Sequence, residues 1–227
     1  MKSYLKGAFA ALGLLSAAGA AQAAIFTIDF TTTGTFSGTA PTDLNQSTIL
    51  ATATFDDHGG TGTVTLTMSV ATGLSTGLYV NDWYFNADSA PLADISFDSG
   101  VAALSVQNGI DAYKADGTGG DFDFAFHFPT DAPGELAQGN MSVYTLTGPG
   151  ITADSFNAVS VSSPRNAGNG GYVSALHVQG YDVDGASASA WISGDGSSPS
   201  TEIPEPGTLA LLGLGLFGIA AARRQKR

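Results

Sequence analysis

Seventeen of the twenty acidic residues in this 227-residue chain are aspartates, and many of them sit in glycine-rich turns. Short carboxylates beside loop carbonyls are the hard oxygen donors that calcium takes. Asp116, Asp121 and Asp123 of "KADGTGGDFDF" and Asp182 and Asp184 of "DVDG" are therefore candidate calcium ligands. The full spacing and terminal Glu of a calcium loop are absent, and aspartate also favours turns because its side chain bonds the nearby backbone. No motif requires a cofactor; calcium is the one ion these residues could take. The three histidines, His58, His127 and His177, form no His-x-His or His-x-x-x-His pair, so any shared role depends on the fold.

Catalytic signatures are missing. There is no Gly-x-Ser-x-Gly elbow, phosphate loop or His-Glu-x-x-His motif. A glycosidase needs only two carboxylates flanking a sugar, but the sole glutamate between residues 24 and 200 is Glu135, in a Pro/Gly loop. The middle therefore reads as non-catalytic, with a secreted polysaccharide-active enzyme as the alternative. A glycan- or ice-binding module is a further alternative. Thr52, Thr54, Thr63, Thr65 and Thr67 would form an array similar to ice-binding surfaces, although the β-propensity of threonine on a solvated strand is the better explanation. Trp83 and Trp191 could stack on sugars or fill a core.

The elements that must position these groups are strands. "STILATATF" places Ile49, Ala51, Ala53 and Phe55 on one face, with Leu50, Thr52 and Thr54 on the other. After the turn "DDHGGTG", "TVTLTMSV" sets Val64, Leu66, Met68 and Val70 against its threonines, which predicts a hairpin. In "DFDFAFHF", Phe122, Phe124, Phe126 and Phe128 alternate with Asp121, Asp123, Ala125 and His127, so four aromatics face a core. "IFTIDFT", "LYVNDWYF", "ADISF", "VAALSVQ", "MSVYTLTG", "SFNAVSVS", "YVSALHVQGY" and "ASAWIS" are further candidates. About ten short strands divided by Gly, Asn, Asp and Pro clusters predict an all-β fold, an antiparallel β-sandwich or jelly-roll-like domain.

Charge is unevenly distributed. Residues 24–200 hold two basic residues, Lys114 and Arg165, against eighteen acidic ones, a formal charge of −16. Such a surface repels nucleic acid and anionic headgroups and excludes both as electrostatic partners. With no cysteine in the chain, an exported domain must be held by its apolar core.

Both ends read as addresses. "MKSYLK" is a basic start, "GAFAALGLLSAAGAA" an apolar run, and Ala21 and Ala23 supply small residues at the −3 and −1 positions. Residues 1–23 are thus expected to be a signal peptide, cut by signal peptidase between Ala23 and Ala24. Residues 24–193 then form the exported domain, 194–203 a Ser/Pro/Gly-rich stalk, and 204–227 a separate tail. In the tail, residues 207–222 are uncharged. As a helix they reach about 24 Å, short of the roughly 30 Å hydrocarbon core. Arg223, Arg224, Lys226 and Arg227 would hold the C-terminus in the cytoplasm. A marginal span suits a temporary anchor, with a permanent single-span anchor as the alternative.

The order Pro204-Glu205-Pro206, short apolar helix and basic terminus, paired with a signal peptide, resembles the PEP-CTERM sorting signal of exosortase substrates. This tail is also labelled an "ice-binding protein C-terminal" domain, a name for an address rather than an activity. The resemblance implies a Gram-negative bacterium, a precursor anchored in the inner membrane, and recognition by exosortase near Pro204-Glu205-Pro206. It further implies release to the cell surface or an exopolysaccharide matrix, where polysaccharide is a candidate partner. "YKADGTGGDFDFAFHFP", "SVYTLTGPGITADSFN", "ALHVQG" and "ASAWISGDG" are similar to segments of exported domains that carry the same tail. That second resemblance implies no activity and carries over no functional residue. Proline keeps Pro204-Glu205-Pro206 extended above the apolar run, where a membrane-facing transpeptidase can read it. Mass spectrometry of surface material should show a new C-terminus near Glu205 or Pro206; an intact end at Arg227 would contradict removal of the tail.

Overall fold

The structure, a computed structural model, describes residues 23–88, 92–116, 119–162, 170–196 and 200–201. The helix expected over residues 207–222, the sorting motif, the basic terminus and residues 1–22 of the signal peptide lie outside them. Among the described residues no helix is long and apolar enough to cross a membrane. The strands are β1 (Ala24–Gly38), β2 (Ile49–Asp56), β3 (Thr63–Val70), β4 (Tyr79–Phe85), β5 (Asp94–Gly100) and β6 (Ser105–Lys114). They continue with β7 (Asp121–His127), β8 (Leu136–Ala137), β9 (Met141–Thr147), β10 (Ser174–Val183), β11 (Ala186–Gly196) and β12 (Ser200–Thr201).

The fold is all-β and antiparallel. Pairing is continuous along the path β5-β9-β3-β2-β1-β11-β10-β4-β7-β6, with β12 added to β1 and β8 to β4. The path folds over on itself until its ends nearly meet. Residues 101–104 link β5 directly to β6, the Ala103 N–H donates to the Tyr144 hydroxyl at 2.8 Å, and the Tyr144 ring lies 4.7 Å from Phe126. The two halves share one aromatic core. Phe55 of β2 stacks on Phe156 at 4.3 Å and meets Phe85 of β4 edge-on at 5.4 Å. Phe30 of β1 meets Trp83 of β4 edge-on at 5.1 Å.

Local chemistry explains the strands and where they depart from simple alternation. The expected hairpin forms, with Thr54 opposite Thr67 and Ala53 opposite Met68. A register shift in β1–β2 pairs Phe30 with Ala51 and Thr31 with Ile49. That bulge turns Leu50 into the core and leaves Ile49 exposed, the reverse of the expected faces. Phe124, Phe126 and Phe128 join the main core as expected, whereas Phe122 packs in a second cluster with Tyr84, Ala115, Ala125 and Ala175. There β7 has left β4 and stays paired with β6, across an irregularity between Asn108 and Tyr113. "SFNAVSVS" is not a strand: a 3-10 helix spans Ala153–Phe156, and Val161 makes a single bridge to Asp121.

The β10–β11 hairpin turns on Asp184 and Gly185, whose φ of 53° and 81° match the two-residue turn that follows strand twist. Strand β11 then runs past Ser193 to Gly196, and Ser200–Thr201 pair with Ile25 and Ala24. Part of the segment expected as a stalk, residues 194–203, is therefore sheet. The reason lies in β1, whose first half pairs with β2 along one edge and takes β11 and β12 along the other, and in Gly194. A Cβ at Gly194 would sit 2.2 Å from Ile28 and 2.8 Å from Phe30, so only glycine lets β11 pass there. Phe55→Ala should destabilise the protein by about 3–5 kcal/mol, read from chemical denaturation; a loss below about 1 kcal/mol would contradict its central place.

Candidate functional site

Two of the three histidines, His127 and His177, meet Asp82 on the outer face of β11, β10, β4 and β7. Directly opposite residues form one row across the sheet: Ser37, Trp191, His177, Asp82, His127 and Ser105. A bulge builds its centre. His177 pairs with Asp82 but Val178 pairs with Val80, so Asn81 is an extra residue and both Asn81 and Asp82 face outward. Val80 and Trp83 on either side point into the core.

Asp82 bridges the two rings. Its Oδ1 lies 2.5 Å from His127 Nδ1, and its Oδ2 lies 3.3 Å from His177 Nδ1. His177 Nδ1 also lies 2.5 Å from Asn81 Oδ1. A carboxylate only accepts, so both Nδ1 atoms carry protons and the Nε2 atoms are left for other partners. Burial alone would push the Asp82 carboxyl up, but the hydrogen bonds from His127 and then His177, with their charge, hold it below its ordinary value. His127 Nε2 lies 3.1 Å from the Gln107 carboxamide; His177 Nε2 has no hydrogen-bond partner among the described residues.

Aromatic rings frame this polar row. His177 stacks on Trp191 at 4.6 Å and 7°, and Tyr84 meets His127 edge-on at 5.9 Å. Tyr84 and Trp191 are 5.5 Å apart, and Phe36 stacks on Tyr172 at 4.9 Å. Trp191, Phe36, Tyr172 and Tyr113 are only partly buried, while Tyr84 is nearly covered. Its phenol is pushed well up by burial and then by the charge of Asp82. Of the two tryptophans, Trp83 fills the core and Trp191 faces out.

Chemically, a carboxylate that fixes an imidazole tautomer is the orienting half of a hydrolytic triad. The group at His127 Nε2 is the Gln107 amide, which is not a nucleophile. The arrangement is suited to binding: flat rings beside fixed hydrogen-bonding groups.

The carboxylates that the sequence offers to calcium sit in several different surroundings. Asp184 forms the hairpin turn, and Asp182 is exposed beside it. Asp116 accepts the Ser37 hydroxyl at 3.0 Å. Asp123 is buried and accepts the N–H groups of Ala87 at 2.9 Å and Asp111 at 2.8 Å. Asp121 is buried, and one of its carboxylate oxygens has no hydrogen-bond partner among the described residues. Among the described residues no group of three His, Asp or Glu side chains could hold a metal ion. His58 is exposed and locally bonded, its N–H donating to Asp56 at 2.7 Å and its Nε2 lying 2.9 Å from the Thr65 hydroxyl.

The threonines share the outer face of the other half, with Thr65 opposite Thr145 and Thr63 opposite Thr147. Some of their hydroxyls are engaged: Thr52 donates to Asp29 at 2.8 Å and Thr145 to Asp98 at 2.7 Å. Sequence reading missed the row at Asp82. Its signal was the Asn-Asp pair between Val80 and Trp83, which breaks the period of two.

Residues 202–225 match the family model of the PEP-CTERM protein-sorting motif. The match supports an exported chain targeted to an exosortase, with membrane-associated sorting in a Gram-negative bacterium. No curated protein matches the chain. No solved structure matches it either.

Because its folded carboxyl is depressed, Asp82 contributes fully above the unfolded value near pH 4, and the contribution is lost as pH falls through the folded value. Asp82→Asn should lower stability by about 1–3 kcal/mol at pH 7, and the gap to the parent should narrow below pH ~4. Urea denaturation at pH 7 and pH 3 checks this; an equal gap at both would contradict it.

Proposed function

We propose that this is a non-catalytic protein of the cell surface or exopolysaccharide matrix, and that its outer aromatic face binds neutral polysaccharide. The observation that supports this reading is the row in which partly exposed Trp191 stacks beside His177, Asp82 and His127. Sugar rings offer apolar C–H faces to flat aromatics and hydroxyls to fixed polar groups. The formal charge of −16 over residues 24–200 disfavours polyanions and leaves uncharged glycans as the matching class. The scaffold is best read as a β-sandwich whose two layers stay joined through β1 and β11. Sorting then supplies the place, and the exposed face supplies the attachment.

The full exported protein should bind a neutral polysaccharide on a glycan array without degrading it. Trp191→Ala should weaken that binding about tenfold, the loss expected for one aromatic stacking contact, while the melting temperature stays close to the parent's. Binding no neutral glycan would reject the reading, and turnover of any glycan in a hydrolase panel would replace it with an enzymatic one.

A further inference from the structure

Asp57 follows β2 and is 6% exposed. Its Oδ1 accepts the N–H of Ala24 at 2.8 Å and of Gly59 at 2.9 Å. Its Oδ2 accepts the N–H of Ala153, at the start of the 3-10 helix, at 3.3 Å. The Asp57 N–H donates back to the Ala24 carbonyl at 3.3 Å. One residue thus grips both sides of Ala24 and ties β1 to the 3-10 helix. Only neutral amides meet this buried carboxylate, since among the described residues no lysine, arginine or histidine pairs with it; His58 pairs with Asp56. A buried anion without a cation is the costly half of an ion pair.

Ala24 is also the residue that follows the expected signal-peptidase cut. We infer that Asp57 is a built-in binding site for the α-ammonium group created at Ala24 when the signal peptide is removed. The inference rests on cleavage between Ala23 and Ala24, and is independent of the glycan reading. In the precursor, Ala24 N is an amide with one hydrogen. Hydrolysis places the water oxygen on the Ala23 carbonyl carbon, breaks the C–N bond and leaves a carboxyl on Ala23. The released Ala24 nitrogen takes the water's proton and, at neutral pH, another from solvent, giving an ammonium with three N–H groups. It stands already 2.8 Å from Asp57 Oδ1, and a bond from a neutral amide to the carboxylate becomes a bond between opposite charges.

Position makes the effect specific to one cut. Ile25 lies opposite Asp56 in the β1–β2 ladder, so the register fixes which nitrogen reaches Asp57. A cut one residue earlier leaves Ala24 an amide, and a cut one residue later removes it. With Lys114 and Arg165 the only basic side chains between residues 24 and 200, the ammonium becomes the domain's third lasting positive charge. Export thereby finishes the fold: the chain gains its last ion pair only after the signal peptide has gone.

The test uses the full-length chain, exported with its own signal peptide and purified from the cell envelope. Mass spectrometry should find Ala24 as the first residue; any other start overturns the inference. Acetylation of the α-amine near neutral pH, with the modified residue verified by mass, removes the charge but keeps one N–H. It should lower the melting temperature by about 2–6 °C; an unchanged melting temperature overturns the inference. In Asp57→Asn the same acetylation should have no effect, and an equal drop there overturns it. Should Asp57→Asn fail to fold, a chain processed to keep Gln22 and Ala23 ahead of Ala24 decides. It should melt with the acetylated protein, and melting as high as the free Ala24 form overturns the inference.

Discussion

Everything in this domain depends on the contact between its two sheet halves through Phe55, Phe85, Phe124 and Phe156. The chain has no cysteine with which to staple an exported fold, and its acidic surface repels itself. Apolar burial must therefore outweigh both chain entropy and charge repulsion. Large rings are effective for this because each buries much surface for few rotatable bonds. The inward faces of β1, β2, β4 and β7 are accordingly rich in phenylalanine and tryptophan, with Ile28, Leu50, Val80 and small Ala51 and Ala53 among them.

That commitment inside releases the outside for other uses. Because one nearly closed sheet wraps the core, its outside presents two regions with different chemistry. The face over β2, β3 and β9 is hydroxyl-rich, with Thr52 and Thr145 bonded to neighbouring aspartates and Thr65 to His58. The face over β11, β10, β4 and β7 gathers aromatic rings around a charged centre. The same bulge that keeps Val80 and Trp83 in the core turns Asn81 and Asp82 toward His177. Core packing and site geometry are therefore set by one irregularity in β4.

Regular alternation made much of the fold legible in the sequence. The β2–β3 hairpin, the inward Phe124, Phe126 and Phe128, and the Asp-Gly turn at Asp184 all follow from local pattern and turn chemistry. Departures from the pattern were not legible, because a bulge is one residue whose placement depends on the partner strand. Leu50 and Ile49 exchange faces for that reason, and Phe122 leaves the main core where β7 parts from β4. The candidate site was the least visible. His127 lies 45 residues and His177 lies 95 residues from Asp82, and only the strand order makes them neighbours. The sorting tail was readable for the opposite reason, since its signal is contiguous.

The place of β11 in the sheet has a mechanical consequence. The chain runs toward its sorting tail through β11, which lies in the interior of the strand order, with β1 on one side and β10 on the other. Tension applied from the tail side pulls β11 lengthwise between two ladders, so their hydrogen bonds share the load in shear. A strand at an open edge, such as β5 or β6, could instead be peeled away one bond at a time. A domain held from its C-terminal side while its outer face is gripped by a polymer would thus carry force along its most resistant direction.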